Sequence, residues 1–443
     1  MTINIPKNVE FIIDTLEKNG FEAYAVGGCV RDSLLGRVPN DWDITTSAKP
    51  LETKKLFKRT FDTGIQHGTI SVLLDKEIYE VTTYRIDGEY EDARHPKEVT
   101  FTSKLSEDLL RRDFTINAMA YNPKRGLVDL YGGKEDLDKK IIRCVGNPID
   151  RFTEDALRIM RAVRFAAQLN YQIEEETKKA IKELSPNLKK ISAERIQVEL
   201  VKLLTSDNPG FLRQAYELGI TKVILPEFDR AMECEQHNPN HAYSVGEHTV
   251  KVIENAPSDK VSRLTALFHD LGKPISKTTD ETGKDSFKGH AVESEKIAKD
   301  VLRRLKFDND TITKVCKLVK EHDWMIGAKP ERIRRYMNRI GEEYFPLIFE
   351  INNADLMAQS TYRREEKLAL MAELREKYEE TIRNNDCVSL KTLKVTGKDV
   401  IEKGVEAGPK VGEILKELLE EVLDDPKKND REYLLKRLDD LRG

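Results

Sequence analysis

The chain has 443 residues, room for about three structural units at roughly 100–200 residues each. Lys and Arg total 74 against 78 Asp and Glu, for a formal charge of −4; 39% of residues are hydrophobic and 34% charged. This excludes a membrane-spanning class, since no apolar run approaches the roughly 18 residues a bilayer crossing needs, and it requires any basic surface to be local. Val9, Ile12, Ile13 and Leu16 recur at helical spacing, with Gly20 as a stop. Strand-like runs follow at residues 22–26, 41–45, 69–74, 78–83, 98–101 and 127–130. A helix is expected to begin at Pro50. From about residue 150 the strand signals vanish, and helical patterns are broken at Pro186, Pro209, Pro226, Pro257, Pro330 and Pro346. The expected architecture is an α+β head (1–145), then an all-α neck (146–225), body (226–375) and tail (376–443). The opening residues 1–7 lack a secretory leader's layout, and five scattered cysteines (29, 144, 234, 316, 387) form no CxxC pair. A reducing, cytoplasmic setting is therefore expected.

Asn40-Asp41-Trp42-Asp43-Ile44 falls on a predicted strand. Side chains at i and i+2 leave a strand on one face, so Asp41 and Asp43 can hold divalent cations together. Two such cations about 3.5–4 Å apart can stabilise both oxygens of an in-line phosphoryl transfer. A lone DxD is more often a polar strand end, but its surroundings narrow the choice. Val26-Gly27-Gly28-Cys29-Val30-Arg31-Asp32 lies between a strand and a helix. Gly27 and Gly28 would let the backbone approach a phosphate, and Arg31 would add a charge-assisted contact. Arg111-Arg112-Asp113-Phe114-Thr115-Ile116-Asn117 places two arginines before an expected helix. Arg112, with Asp113 and Asn117 at i, i+4, reads as a triphosphate and ribose contact.

VGGCVRD, NDWDI and RRDFTINAMAYN resemble the motifs of class II tRNA nucleotidyltransferases, the CCA-adding enzymes of the polymerase-β-like superfamily, over about residues 20–230. The resemblance implies a polymerase-β-like mixed sheet with helices in the head. It implies Mg2+ held by Asp41 and Asp43, and suggests Glu80 as a third carboxylate. CTP and ATP are the implied substrates and the tRNA acceptor arm the implied partner; no membrane or DNA partner is expected.

Thr153 reads as an N-cap, with Glu154 and Asp155 in the first turn. Asp155 and Arg158 would then be i, i+3 neighbours on one helical face. Cytosine and adenine both present an amine donor beside a ring-nitrogen acceptor; uracil and guanine present the reverse. One carboxylate beside one guanidinium therefore favours C and A, because the wrong base leaves buried groups unpaired. This matches the EDxxR template of the family. Alone, the pair would be an ordinary intrahelical salt bridge. Arg161 and Arg164 extend a basic stripe that could contact phosphates. Residues 192–200 resemble a later family motif and read as helix packing and salt bridging. The polar stretch 84–96 resembles the flexible loop of enzymes that add the full CCA or A alone, with Arg94-His95 where the family usually has two arginines. A bacterial poly(A) polymerase is the nearest rival, but Thr63-Gly64-Ile65-Gln66-His67-Gly68 has the CCA-type form. A second rival is a tRNA-binding phosphohydrolase with an inactive head.

In the body, His248, His269-Asp270, His290, His322 and Asp355 follow one another in an H…HD…H…H…D order. This resembles an HD-domain phosphohydrolase. His248, His269, Asp270 and Asp355 would hold one divalent metal (Mg2+, Mn2+, Ni2+ or Co2+), His290 and His322 could hold a second, and Lys273 would face the phosphate. His237 and His241 read as structural loop residues.

Overall fold

The computed structural model describes residues 3–87, 99–323 and 327–441. Most of the loop expected at 84–96 lies outside the described residues. The chain divides into two units, Met1–Pro226 and Glu227–Gly443.

In the first unit, α1 (Lys7–Lys18) forms on its apolar stripe. Val9, Ile12, Ile13 and Leu16 are at most 1% exposed, and each such burial contributes about 1.5–3 kcal/mol. The strands are β1 (Ala23–Val26), β2 (Asp43–Thr46), β3 (Thr60–Gly64), β4 (Thr69–Leu74), β5 (Glu77–Thr83), β6 (Arg85–Asp87), β7 (Val99–Phe101), β8 (Met119–Asn122) and β9 (Gly126–Asp129). One mixed sheet has the order β3-β4-β5-β2-β1-β8-β9. Its β2–β5 pair is parallel and its other pairs antiparallel. β6 and β7 pair separately. All four residues of the central β1 are buried. The edge strand β3 escapes the sequence reading because Thr-Phe-Asp-Thr-Gly buries no side chain fully. Backbone pairing with β4 makes it a strand. The short helices α2 (Gly28–Leu34), α3 (Pro50–Leu56), α4 (Leu105–Leu110) and α5 (Gly133–Lys139) complete the α+β part, and Pro50 occupies the first turn of α3 as expected.

The helical remainder of this unit comprises α6 (Pro148–Glu154), α7 (Leu157–Leu169), α8 (Glu175–Leu184), α9 (Ala193–Leu204), α10 (Leu212–Glu217) and α11 (Thr221–Ile224). Strand signals do not end at 150: β10 (Ile141–Ile142) pairs in parallel with β11 (Gln172–Ile173). Two further expectations are corrected. Thr153 is no N-cap; Asn147 accepts from the Ile149 N–H and, with Pro148 in the first turn, starts α6 earlier. Asp155 therefore ends α6 in an extended conformation (φ −141°, ψ 101°) instead of opening α7. Asp113 and Asn117 do not ride an α-helix either; residues Thr115–Asn117 form a single 3-10 turn.

The second unit begins within α12 (Pro226–Met232) and continues through α13 (Val245–Asn255), α14 (Lys260–Phe268), α15 (Lys273–Ser276), α16 (His290–Arg304), α17 (Asn309–Glu321), α18 (Pro330–Ile340), α19 (Phe345–Ala358) and α20 (Arg364–Arg383). A two-residue hairpin of β12 (Thr278–Thr279) and β13 (Asp285–Ser286) interrupts them. α21 (Gly397–Glu402), α22 (Pro409–Asp424) and α23 (Arg431–Leu441) close the chain. Ile333, Met337 and Ile340 of α18 share a core with Leu418, Val422, Leu434 and Leu438. All five cysteines are unpaired. Among the described residues, no helix is long and apolar enough to cross a membrane.

Candidate functional site

The first unit brings most of the expected head residues into one connected set. β2 starts at Asp43, so Asp41 stands just before the strand instead of on it. Parallel pairing sets Asp43 opposite Glu80 of β5. Asp43 and Glu80 face solvent, but desolvation by the surrounding protein raises both carboxyls and neighbouring carboxylates add to this; Arg112 works the other way at Asp43. Crowded like charges of this kind fit a divalent cation. Gly27 adopts φ 84°, ψ −130°, a conformation few side chains tolerate. A Cβ there would lie 3.0 Å from Arg112 Nη1, while one on Gly28 would lie 3.7 Å from Arg31 Nη2, so the two arginines rest against the glycine pair, one on each. Arg31 Nη1 donates to Asn117 Oδ1 at 2.7 Å, and Asn117 Nδ2 donates to Asp113 Oδ1 at 3.1 Å.

Arg112 owes its place to Asp108, a fully buried carboxylate that sequence reasoning missed. Asp108 Oδ1 accepts from Arg111 Nε and Nη2 at 2.9 and 2.8 Å. Asp108 Oδ2 accepts from Thr45 of β2 at 3.1 Å and from Arg112 Nη2 at 3.5 Å. One carboxylate thus ties both arginines to the strand that carries Asp43. Its i, i+3 and i, i+4 spacing to Arg111 and Arg112 was a usable signal.

Asp155 and Arg158 meet through the backbone, the Arg158 N–H donating to the Asp155 carbonyl at 3.0 Å, and the described side-chain contacts of each go elsewhere. Arg158 Nη1 donates to Glu154 Oε2 at 2.6 Å and to the Arg151 carbonyl at 3.0 Å, while Nη2 reaches the Arg111 carbonyl at 2.8 Å. Asp155 is held by Arg195 of α9, through Nη2 to Oδ2 at 2.6 Å and Nη1 to Oδ1 at 3.3 Å. The Leu157 N–H also donates to Oδ1 at 3.0 Å. A carboxylate has about four acceptor positions, so one remains on Oδ2 among the described contacts. The stretch 192–200 reads as helix packing and salt bridging, which fits Arg195, but its partner Asp155 lies 40 positions away in sequence and has no local signature. We expect Arg195→Ala to loosen Asp155 and to raise KM for CTP and ATP about tenfold, the effect of one lost charged hydrogen bond. Steady-state titration of each nucleotide measures this.

Arg161 and Arg164 do not form a free basic stripe. Arg161 Nε donates to Asp113 Oδ2 at 2.8 Å, and the buried Arg164 donates through Nε to Glu199 Oε2 at 2.8 Å. Burial opposes the charge on Asp113, but Arg161 and a hydrogen bond from Asn117 hold its carboxyl well below the usual range. A carboxylate depressed by folding stabilises the native state above its unfolded value near 3.9 and loses that contribution as pH falls. The melting temperature should drop as the pH is taken below about 4, and drop less in Asp113→Asn; circular dichroism melts at stepped pH test this.

The second unit gathers the other set. His269 Nε2 lies 3.2 Å and His248 Nε2 3.7 Å from Asp270 Oδ2; His290 and His322 Nε2 lie 3.3 and 3.6 Å from Asp270 Oδ1. His248 Nε2 also lies 2.7 Å from Asp355 Oδ1. Among the described residues, two donor groups have all ligand atoms within 4.8 Å: His248, His269 and Asp270, and Asp270, His290 and His322. Asp270 belongs to both, one oxygen facing each. His269, His290 and His322 each have Nδ1 at 2.7–2.8 Å from a carbonyl three residues earlier. A carbonyl only accepts, so Nδ1 carries the proton and Nε2 presents its lone pair to the centre. His269 Nε2 is buried without a hydrogen bond. This orphaned donor atom and the mixed imidazole and carboxylate set fit a divalent metal. Lys273 Nζ lies 2.6 Å from Asp270 Oδ2. His241 also lines the chamber over this centre. Its imidazole is pushed down to about 3, by burial first and then by Lys273 and His248.

Three families match along the chain: "Poly A polymerase head domain" at residues 23–143, "Probable RNA and SrmB- binding site of polymerase A" at 170–232, and "tRNA nucleotidyltransferase domain 2 putative" at 289–438. A CCA-adding enzyme of Levilactobacillus brevis is 37% identical over 406 residues, 91% of this chain and 90% of that one. A CCA-adding enzyme of Lactobacillus helveticus is 46% identical over 261 residues, 57% of this chain; there the match spans 65% of the relative's length, short of two thirds. The crystal structure of the Bacillus stearothermophilus CCA-adding enzyme in complex with CTP superposes with a TM-score of 0.71 at 30% identity, covering 97% of this chain and 95% of that one. With a mixed-sheet head, a helical remainder and likeness to the Levilactobacillus brevis enzyme over nine-tenths of both chains, this chain belongs to the CCA-adding enzyme family.

Proposed function

We propose that this chain builds or repairs the 3′-terminal CCA of tRNA from CTP and ATP, with no nucleic-acid template. The observation that carries this reading is the route of contacts from Arg158 to the Arg111 carbonyl, and from neighbouring Arg112 to Gly27. Asp108, which holds both arginines and accepts from Thr45 of the strand that carries Asp43, would extend this route from Arg158 toward the dicarboxylate cleft. Asp41, Asp43 and Glu80 would hold Mg2+, which when bound stabilises charge on the reacting oxygens. Gly27, Gly28, Arg31 and Arg112 position the triphosphate. The remaining acceptor position of Asp155 receives the amine of C or A, and Arg158 donates to the ring nitrogen. Asp113, Asn117, Arg161 and Arg164 act by fixing Arg31 and the α7 helix.

In this reading residues 1–145 are the nucleotidyltransferase head, 146–225 the neck, 226–375 the phosphohydrolase body and 376–443 the tail. The helical parts grip the tRNA acceptor arm through shape and phosphates, and the protein works in the cytoplasm. Incubating tRNA lacking CCA with labelled CTP or ATP, singly and together, tests the proposal. Addition of CCA and nothing further supports it. Addition of A alone points to an A-adding enzyme, long A tracts to a poly(A) polymerase. No labelling at all leaves a tRNA-binding phosphohydrolase.

The body's buried donor set supports a second activity, metal-dependent hydrolysis of a phosphoester. His248, His269, Asp270 and Asp355 would hold one metal, and His290 and His322, with Asp270, another. The metal, when bound, lowers the pKa of a water; Lys273 neutralises phosphate charge. Release of phosphate by the purified protein with Mg2+, Mn2+, Co2+ or Ni2+ tests it, and no release with any of them overturns it.

A further inference from the structure

A cavity of about 300 Å³ opens onto the body centre. Asp270, His290 and His322 form its polar end, and Tyr336, Phe345 and Leu374 line its apolar side. His241 also lines it, yet belongs to neither donor group. Its ring meets the His248 ring edge-on, with centroids 5.2 Å apart. Among the described residues neither ring nitrogen of His241 makes a hydrogen bond, and Nδ1 is buried without one. This contrasts with His269, His290 and His322, whose Nδ1 atoms each sit on a carbonyl. An enclosed polar nitrogen left unpaired is costly.

The loop that carries His241 is nonetheless held in place. Ser360 donates through N to the Asn240 carbonyl at 2.9 Å and through Oγ to the Pro239 carbonyl at 2.6 Å. Lys367 Nζ donates to Asn240 Oδ1 at 3.0 Å, and the His241 N–H to the Asn238 carbonyl at 3.0 Å. The backbone is fixed while the imidazole, packed edge-on against His248, has no hydrogen-bond partner among the described residues at the edge of a chamber. That combination suits a group whose partner arrives with the ligand.

We propose that His241 is a ligand-contacting residue of the body centre, hydrogen-bonding through its ring to a phosphate oxygen of the phosphoester in the chamber. This rests on the phosphohydrolase reading above. Lys273 supplies charge from the Asp270 side, and His241 adds a directional contact beside His248.

The test uses the full chain loaded with Mn2+. Metal content, binding of inorganic phosphate by calorimetry, and kcat/KM for p-nitrophenyl phosphate are compared among wild type, His241→Phe and His241→Gln. Phe keeps a ring against His248 but has no nitrogen; Gln keeps a polar group. We expect His241→Phe to hold its metal, to bind phosphate about tenfold more weakly and to lose about tenfold or more in kcat/KM, with Gln recovering part of each. Phosphate binding by His241→Phe equal to wild type overturns the proposal. So does loss of metal in that variant, which would make His241 a metal ligand, or a Gln variant no better than Phe, which would make its role packing. If wild type binds phosphate in a His241-dependent way but hydrolyses no ester, the hydrolase reading falls and the contact stands. If wild type neither binds nor hydrolyses, both fall.

Discussion

Asp43→Ala is expected to cut CTP incorporation into tRNA lacking its 3′ end by about a thousandfold or more, about 4 kcal/mol of transition-state stabilisation. Asp43 stands in register with Glu80, with Asp41 two residues away. Its carboxyl is raised by desolvation from the surrounding protein and by Asp41, against the pull of Arg112. A carboxylate in that setting is held at a cost to its charged form. Replacing it with Ala removes a like-charge repulsion, so the melting temperature should stay level or rise while incorporation collapses. A structural acid would show the opposite pairing, lower stability with residual activity. Single-turnover incorporation of labelled CTP, run beside a thermal melt, reads both. Incorporation above a tenth of wild type would remove Asp43 from the cation-binding set.

Asp155→Ala carries the second large effect. Uracil and guanine would place a carbonyl oxygen against the Asp155 carboxylate, which only accepts. An unpaired buried group costs about 1–3 kcal/mol, so Asp155 alone accounts for roughly a 10- to 100-fold preference against U and G. In the Ala variant that preference should shrink by this factor and incorporation of C and A should slow. Competition between CTP and UTP in one reaction measures the ratio directly. An unchanged ratio would refute protein-encoded base choice at this residue. The variant also strips Arg195 of its partner, so Arg195→Ala is the necessary control. It should weaken nucleotide binding while leaving the C-over-U ratio near wild type.

What could be read from the chain was short-range. Gly27-Gly28 with Arg31, Asp41 with Asp43, and His269-Asp270 are local patterns whose chemistry follows from spacing. Glu80 needed a family resemblance, because its place opposite Asp43 comes from parallel strand pairing across 37 residues. The misreadings have the same origin. Arg161 and Arg164 look like a solvent-facing basic stripe on their own helix, but Asp113 and Glu199, 48 and 35 residues away, claim them. Asp155 and Arg158 look like i, i+3 partners only if one helix runs through them. Asn147 and Pro148 start the helix early enough that it ends at Asp155. The sheet was largely legible, except for β3, which backbone pairing holds with no alternating apolar code, and β8, which follows directly on the helix expected after Arg111 and Arg112 and is buried along its whole length.

Three of the body's histidines take their aim from a carbonyl three positions earlier in their own segment. Ring orientation is therefore inherited from adjacent backbone and not negotiated between distant helices. Connections between these helices can lengthen or shorten over evolutionary time without turning a lone pair away. A single insertion inside the helical spans that end at His269 or His322 would swing the imidazole by about 100°. The region should thus tolerate variation in its loops and resist it at these three points.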